Sequence, residues 1–160
     1  MPARPGAVIK GWPVALEMEA TMDAPPEVIW DLITDWERQD DWMLEASDFV
    51  VTSAHREGIG VEAEATIKIA GIKTRDRVRV TGWEPPRRLA IAHLGWVGGA
   101  GEIYVVPSGS GRSHVFWREE LYPPMGILGA IGLTFFKPPM RRIFERDLGI
   151  LARLAAAHSA

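Results

Sequence analysis

From Val14 to Met22 the apolar residues Val14, Leu16, Met18, Ala20 and Met22 alternate with Ala15, Glu17, Glu19 and Thr21. A period of two puts one set on a buried face and predicts a strand. Val28, Ile29, Leu32, Ile33 and Trp36 recur instead at helical spacing. Pro25 and Pro26 stand before them, where a first turn needs no amide donors, and Glu27 suits the positive helix end. Asp35 to Asp41 reads as a break and a short second helix running into Trp42-Met43-Leu44. Phe49 to Ser53 predicts a second strand, closed by the turn-like His55-Arg56-Glu57-Gly58.

Val61 to Ala70 and Lys73 to Trp83 predict a hairpin about Gly71-Ile72, with glycine first in a type II′ turn. That register sets Ile69 against Thr74, Ile67 against Asp76, Ala65 against Val78 and Ala63 against Val80. Lys68, Thr66 and Glu64 then face Arg75, Arg77 and Arg79 on the other side, so the two faces sort by polarity. After the turn at Trp83-Glu84-Pro85-Pro86-Arg87, Leu89 to Gly95, Glu102 to Val106 and Ser113 to Tyr122 read as further strands. Across the Pro107–Gly111 loop, Ile103 and Val105 share a face with Val115, Trp117 and Leu121, and Glu119 goes with them. Pro123-Pro124 leads into an apolar, glycine-rich stretch, Met125 to Phe136. Pro138-Pro139 then open a last helix with Met140, Ile143, Phe144, Leu148, Leu151 and Leu154 on one stripe. Arg141, Arg142, Glu145, Arg146 and Arg153 take the opposite side.

The run Asp23-Ala24-Pro25-Pro26-Glu27-Val28-Ile29-Trp30, the later Trp42, the Glu84-Pro85-Pro86 turn and the terminal helix resemble the START-like helix-grip (SRPBCC) superfamily. Within it the chain is most similar to the bacterial polyketide cyclase/dehydrase and lipid-transport group, from about Trp12 to His158. The resemblance implies an α+β fold: a seven-stranded curved antiparallel sheet wrapped around a long C-terminal helix, with an internal cavity. The expected order is strand, two short helices, six strands, long helix. A tail over residues 1–11 then precedes one domain over 12–160.

Composition narrows the chemistry. A chain of 160 residues is one domain, and a net charge of −3 gives nucleic acid no electrostatic footing. The absence of cysteine excludes disulfides, thiolate catalysis and thiolate-bound zinc. No two of the four histidines have ligand spacing, so no metal is expected. Gly98-Gly99-Ala100-Gly101 precedes a strand instead of opening a helix, so it is no dinucleotide fingerprint, and no cofactor is expected. The acidic residues Asp31, Asp35, Glu37, Asp40, Asp41, Glu45 and Asp48 lack the pattern of a calcium loop and read as a solvated face. The first residues lack the apolar core of an export signal, and 125–136 is short of the roughly 20 residues of a membrane span. A cytoplasmic location without stable membrane insertion is expected. The apolar 125–136 segment leaves room for transient membrane contact, and no signal sets an oligomeric state.

Small residues (Ala63, Ala65, Gly101) facing Trp42, Trp117 and Phe144 suggest a slot; the alternative is that these side chains simply pack. Apolar and aromatic walls with a few polar groups are the usual form of a small-molecule site. The expected ligand-binding residues are Trp42, Ile67, Ile69, Val78, Ile91, Ile103, Val105, Val115, Trp117, Leu121, Phe136, Met140 and Phe144. Glu119 is the first candidate for chemistry. An inward carboxylate is costly unless paired or protonated, and desolvation suits it to acid–base work or to anchoring a hydroxyl. A buried ion pair with an arginine, or a one-residue shift bringing Glu120 inside, would account for it without function. Asp76 near the hairpin end is either its acid–base partner at the cavity rim or a solvated turn residue. His93, on the face of Leu89 and Ile91, is either a hydrogen-bonded core residue or a further binding or proton-transfer group. His55, His114 and His158 read as turn, outer-face and tail positions. The leading function is binding or transport of a small hydrophobic, lipid- or polyketide-like ligand. The alternatives are a polyketide cyclase or dehydratase using Glu119 for proton transfer, and a protein-binding module using the apolar 125–136 surface.

Overall fold

The computed structural model describes residues 13–160, so the tail over 1–11 and Trp12 lie outside the described residues. The strands are β1 (Val14–Met22), β2 (Ala46–Val51), β3 (Glu62–Ile69), β4 (Ile72–Glu84), β5 (Arg88–Leu94), β6 (Gly98–Pro107) and β7 (Ser113–Tyr122). Helix α1 (Pro26–Thr34) and a short 3-10 helix (Trp36–Asp41) separate β1 from β2, and helix α2 (Gly126–Ser159) ends the chain. All neighbouring strands are antiparallel, in the order β1-β7-β6-β5-β4-β3-β2, and the sheet stays open. Register breaks at Ser47/Val50 and Val80/Gly82 add the local bend that bulges supply. Helix α2 lies along the concave face, with Met140, Phe144, Leu148, Leu151 and Ala155 buried against Leu16, Met18 and Met22 of β1 and their neighbours. This is the helix-grip plan.

Strands β1 and β7 run between the expected residues because alternation there is clean. Strand β2 starts earlier than expected, at Ala46, and stops at Val51. Strand β6 starts at Gly98, so the glycine run belongs to the strand instead of preceding it. Pairing with β5 on one side and β7 on the other recruits those residues through backbone hydrogen bonds alone. Side-chain alternation carries no trace of that.

The β3–β4 hairpin turns at Ala70-Gly71, with φ of 51° and 79°, and Ile69 faces Ile72. Two successive positive φ values are the signature of a type I′ turn, whose twist matches the flanking strands. Relative to the expected register the pairing moves by two residues, so Asp76 faces Ala65, Ile67 faces Thr74 and Ala63 faces Val78. A shift of two preserves the face of every side chain. The inward set therefore survives the correction, and outside the sheet Arg75 bonds Glu64 and Arg79 bonds Glu62.

The expected break before Pro138 is absent: α2 is continuous from Gly126 and carries Pro138 and Pro139 inside it. Prolines there remove amide donors that would serve the carbonyls of Thr134 and Phe135, one turn earlier. Both residues lie on the solvent side of the helix, where water can serve those carbonyls instead. The segment read as a separate apolar stretch thus forms the first turns of α2, with Met125, Ile127, Leu128, Ile131 and Phe135 exposed.

Gly99 has φ +147°, and a Cβ there would stand 2.0 Å from the Glu120 carbonyl oxygen on the paired strand. Gly99→Ala should therefore destabilise the fold by about 1–3 kcal/mol through strain in the β6–β7 ladder. A thermal melt indistinguishable from wild type would show that the ladder yields without cost.

Candidate functional site

Between the concave face of the sheet and α2 lies a cavity of ≈ 380 Å³. Ile67, Ile69, Val78, Ile91, Ile103 and Leu121 line it from the strands, Trp42 from the end of the 3-10 helix, and Phe136, Met140 and Phe144 from α2. Trp117 also lines it, 4.9 Å from the Phe144 ring and 5.8 Å from that of Trp42, between centroids. Ile72, Trp96 and Phe136 line it and are also exposed, so this end is the mouth.

Val105 and Val115 do not line the cavity, although their parity is inward. They face each other across β6 and β7 at the end of the sheet that α1 covers, and they are wholly buried in solid core. Conversely Trp96, Val97, Met43 and Leu133 line the cavity unforeseen. Trp96, Val97 and Met43 lie in connections, where periodicity carries no information about direction.

The polar wall gathers Asp76 of β4, His93 of β5 and Glu119 of β7. Nδ1 of His93 lies 2.8 Å from Asp76 Oδ2, and Nε2 lies 2.9 Å from Glu119 Oε2. The indole Nε1 of Trp117 donates to Glu119 Oε1 at 2.8 Å. Strands β5 and β7 are not neighbours; β6 runs between them, and its residues at this level are Gly99, paired with His93, and Gly101, paired with Glu119. Because β6 carries no side chain there, His93 and Glu119 meet across it. A Cβ on Gly101 would stand 2.6 Å from Glu119 Oε1.

Each ring nitrogen of His93 faces a carboxylate oxygen, and a ring that carries protons on both nitrogens satisfies the two contacts at once. Burial works against a charged imidazole, but the hydrogen bonds and charges of Asp76 and Glu119 outweigh it and hold His93 up at about 10. The partner of Glu119 is therefore a histidine, not an arginine. Glu120 points outward to Tyr122 and Arg118, so no register shift brings it inside. Asp76, placed at the rim by the sequence, has its side chain only 20% exposed and bound to His93, so it is no solvated turn residue. His55 bonds the Ile59 carbonyl in its turn, His114 lies outside beside Thr21 and Glu19, and His158 bonds the Leu154 carbonyl near the end of α2.

A second polar cluster went unnoticed in the sequence. Glu45, read there as solvated, is buried, and Arg146 of α2 reaches its Oε2 at 3.1 Å and Asp147 Oδ1 at 2.8 Å. Glu45 Oε1 and Asp147 Oδ2 are buried without a hydrogen-bond partner among the described residues, and a proton on Glu45 relieves the crowding of the two carboxyl groups. Burial first, and Asp147 second, push Glu45 up to about 8. The signal that could have found Asp147 is its place on the apolar stripe of α2, beside Phe144, Leu148 and Leu151. Among the described residues no helix is long and apolar enough to cross a membrane.

Residues 13–156 match the model of a family described as polyketide cyclase / dehydrase and lipid transport. The fold is similar to the crystal structure of TTHA0849 from Thermus thermophilus, at 21% identity and a TM-score of 0.78, over 92% of this chain and 100% of that one. It is similar to an aromatase/cyclase from a Streptomyces species, at 16% identity and TM-score 0.70, over 92% and 94% of the two chains. It is also similar to a START superfamily protein from Mycobacterium smegmatis, at 14% identity and TM-score 0.68, over 91% and 96%. At such identities the likeness carries the fold alone. No match was found among curated protein sequences.

The charged groups make the site testable by titration. The His93 ring should remain protonated well above its ordinary 6.5, titrating near 10 by NMR. Gly101→Ala, by displacing Glu119, should lower that value and lower the melting temperature with it, since the raised value is itself a contribution to stability; an unchanged titration would mean that Glu119 does not hold the proton. Both raised groups bind protons more tightly when folded, so each stabilises the fold at low pH. The His93 contribution is complete below 6.5 and lost as pH rises through about 10; that of Glu45 is complete below 4.5 and lost by about 8. The melting temperature should therefore fall across that range by the equivalent of a few kcal/mol. His93→Gln should flatten the upper limb and Glu45→Gln the lower, and a profile already flat in wild type would contradict both assignments.

Proposed function

The chain belongs to the polyketide cyclase/dehydrase and lipid transport family, and on that premise we propose that it binds and carries a small hydrophobic, lipid- or polyketide-like molecule in the cavity under α2. The observation that carries this reading is the ≈ 380 Å³ hollow walled by isoleucine, valine, leucine and aromatic rings, with polar groups gathered on one side. Each square ångström of apolar surface that a ligand loses to that wall is worth about 25 cal/mol. Trp117 meets Trp42 edge to face and Phe144 at a tilt, and these aromatic walls suit a flat, unsaturated or fused-ring body. Asp76, His93 and Glu119 then orient its polar end.

A second reading is a cyclase or dehydratase, as the aromatase/cyclase of the same fold is named. The hydrogen-bonded chain Asp76–His93–Glu119 supports it, since such a chain can relay a proton. Against it stands the protonation of His93: a group held near 10 is no base at neutral pH. Glu119 and Asp76 are then the acceptors that remain for such a reaction. Binding ranks first for that reason.

Native mass spectrometry of the chain purified without added ligand should show a lipophile, released by organic solvent. Ala65→Trp, which fills the hollow from β3, should abolish it while the chain stays folded. A carrier should lose only modest affinity in Glu119→Gln, whereas an enzyme would lose turnover by orders of magnitude and still bind. An empty spectrum, together with failure of any hydrophobic probe to compete for the cavity, would sink the small-molecule reading.

A further inference from the structure

Most hydrogen-bond donors around the cavity are already committed. Both ring nitrogens of His93 point at Asp76 and Glu119, and the Trp117 indole points at Glu119. The Trp36 indole donates to the Arg56 carbonyl, and the Gln39 amide donates to the carbonyls of Ile33 and Asp35. The Trp42 Nε1 is buried and has no hydrogen-bond partner among the described residues, so one neutral donor stays uncommitted. Two further neutral donors, the Thr74 hydroxyl and the Trp96 indole, belong to the mouth side, near the hairpin turn and on an exposed side chain.

Acceptors, in contrast, are in surplus. Asp76 Oδ2 and both Glu119 oxygens each take one hydrogen bond and have capacity for another, and Asp76 Oδ1 accepts none from the described residues. The charges point the same way. Two carboxylates flank one imidazolium, so this wall carries one excess negative charge. Among the described residues lining the cavity, the other cation is Arg75, and its guanidinium is turned outward onto Glu64. Glu45 is already engaged with Arg146 and Asp147.

The geometry points to a ligand whose polar end donates hydrogen bonds, a hydroxyl or a protonated amine, and excludes one that ends in a carboxylate. This inference deepens the binding reading above and rests on it. A hydroxyl or ammonium placed against Asp76 and Glu119 completes their open lone pairs. A carboxylate there would meet two like charges and no uncommitted cation. An ether of the same shape would bury without repulsion but would leave those acceptors unfilled.

The test uses four naphthalenes of one shape on the intact chain: 2-naphthol, 2-naphthylmethylamine, 2-methoxynaphthalene and 2-naphthoate, titrated at neutral pH by quenching of tryptophan fluorescence and by calorimetry. Naphthol and the amine should bind about tenfold or more tightly than the methyl ether, as a charge-assisted hydrogen bond implies. Naphthoate should bind most weakly. Asp76→Asn and Glu119→Gln each remove a negative charge and add an amide donor, so both should narrow the spread and favour naphthoate most. Their fold is checked by circular dichroism. Equal binding of all four, or tightest binding of naphthoate, overturns the head-group inference and leaves the cavity reading standing. Binding of none of the four by folded wild type overturns both.

Discussion

One helix lies against seven strands, and it cannot fill the space that their curvature opens. The buried stripe of α2 reaches β1 and the core beneath α1, where Leu16, Met22, Leu148 and Leu151 are packed solid. Toward the other end the sheet bends away, and the helix side chains Met140 and Phe144 meet a hollow instead of a facing layer. A sheet of this size closed into a barrel would leave no such room unless its strands were more numerous. Openness of the sheet and length of the helix are thus what make a binding site out of a core.

Inside that hollow the polar wall depends on absence as much as on presence. Side chains two strands apart in a sheet stand too far apart to touch unless the strand between carries none; Gly99 and Gly101 provide that gap. His93 then bridges β4 and β7 in a single ion triad, and Trp117 adds a fourth member. Charges buried this way are costly singly and tolerable only as a closed set. The set is closed toward the protein and open toward the hollow, which is why its remaining valence falls to a ligand.

The Glu45–Arg146–Asp147 cluster follows the same logic where the residue before β2 meets α2. It holds two carboxyl groups and one guanidinium, and one proton makes up the difference. Both clusters are therefore tied to pH in the same direction, each favouring the fold while its proton is kept.

Much of this was legible in one dimension. Alternation along β1 and β7 determined their bounds, the Pro25-Pro26 start determined α1, and parity across the β6–β7 loop turned Glu119 inward beside Trp117. Face, in short, follows from local period, since a strand has only two sides. Partners do not. That Glu119 meets His93, that Asp76 completes the triad, that Glu45 is buried against α2, and that Val105 and Val115 lie in solid core were decided by tertiary structure. Those contacts depend on how far the sheet bends, which residue of a turn goes left-handed, and whether a helix passes through two prolines. Each is settled by distant backbone hydrogen bonds and packing, which leave no period in the chain.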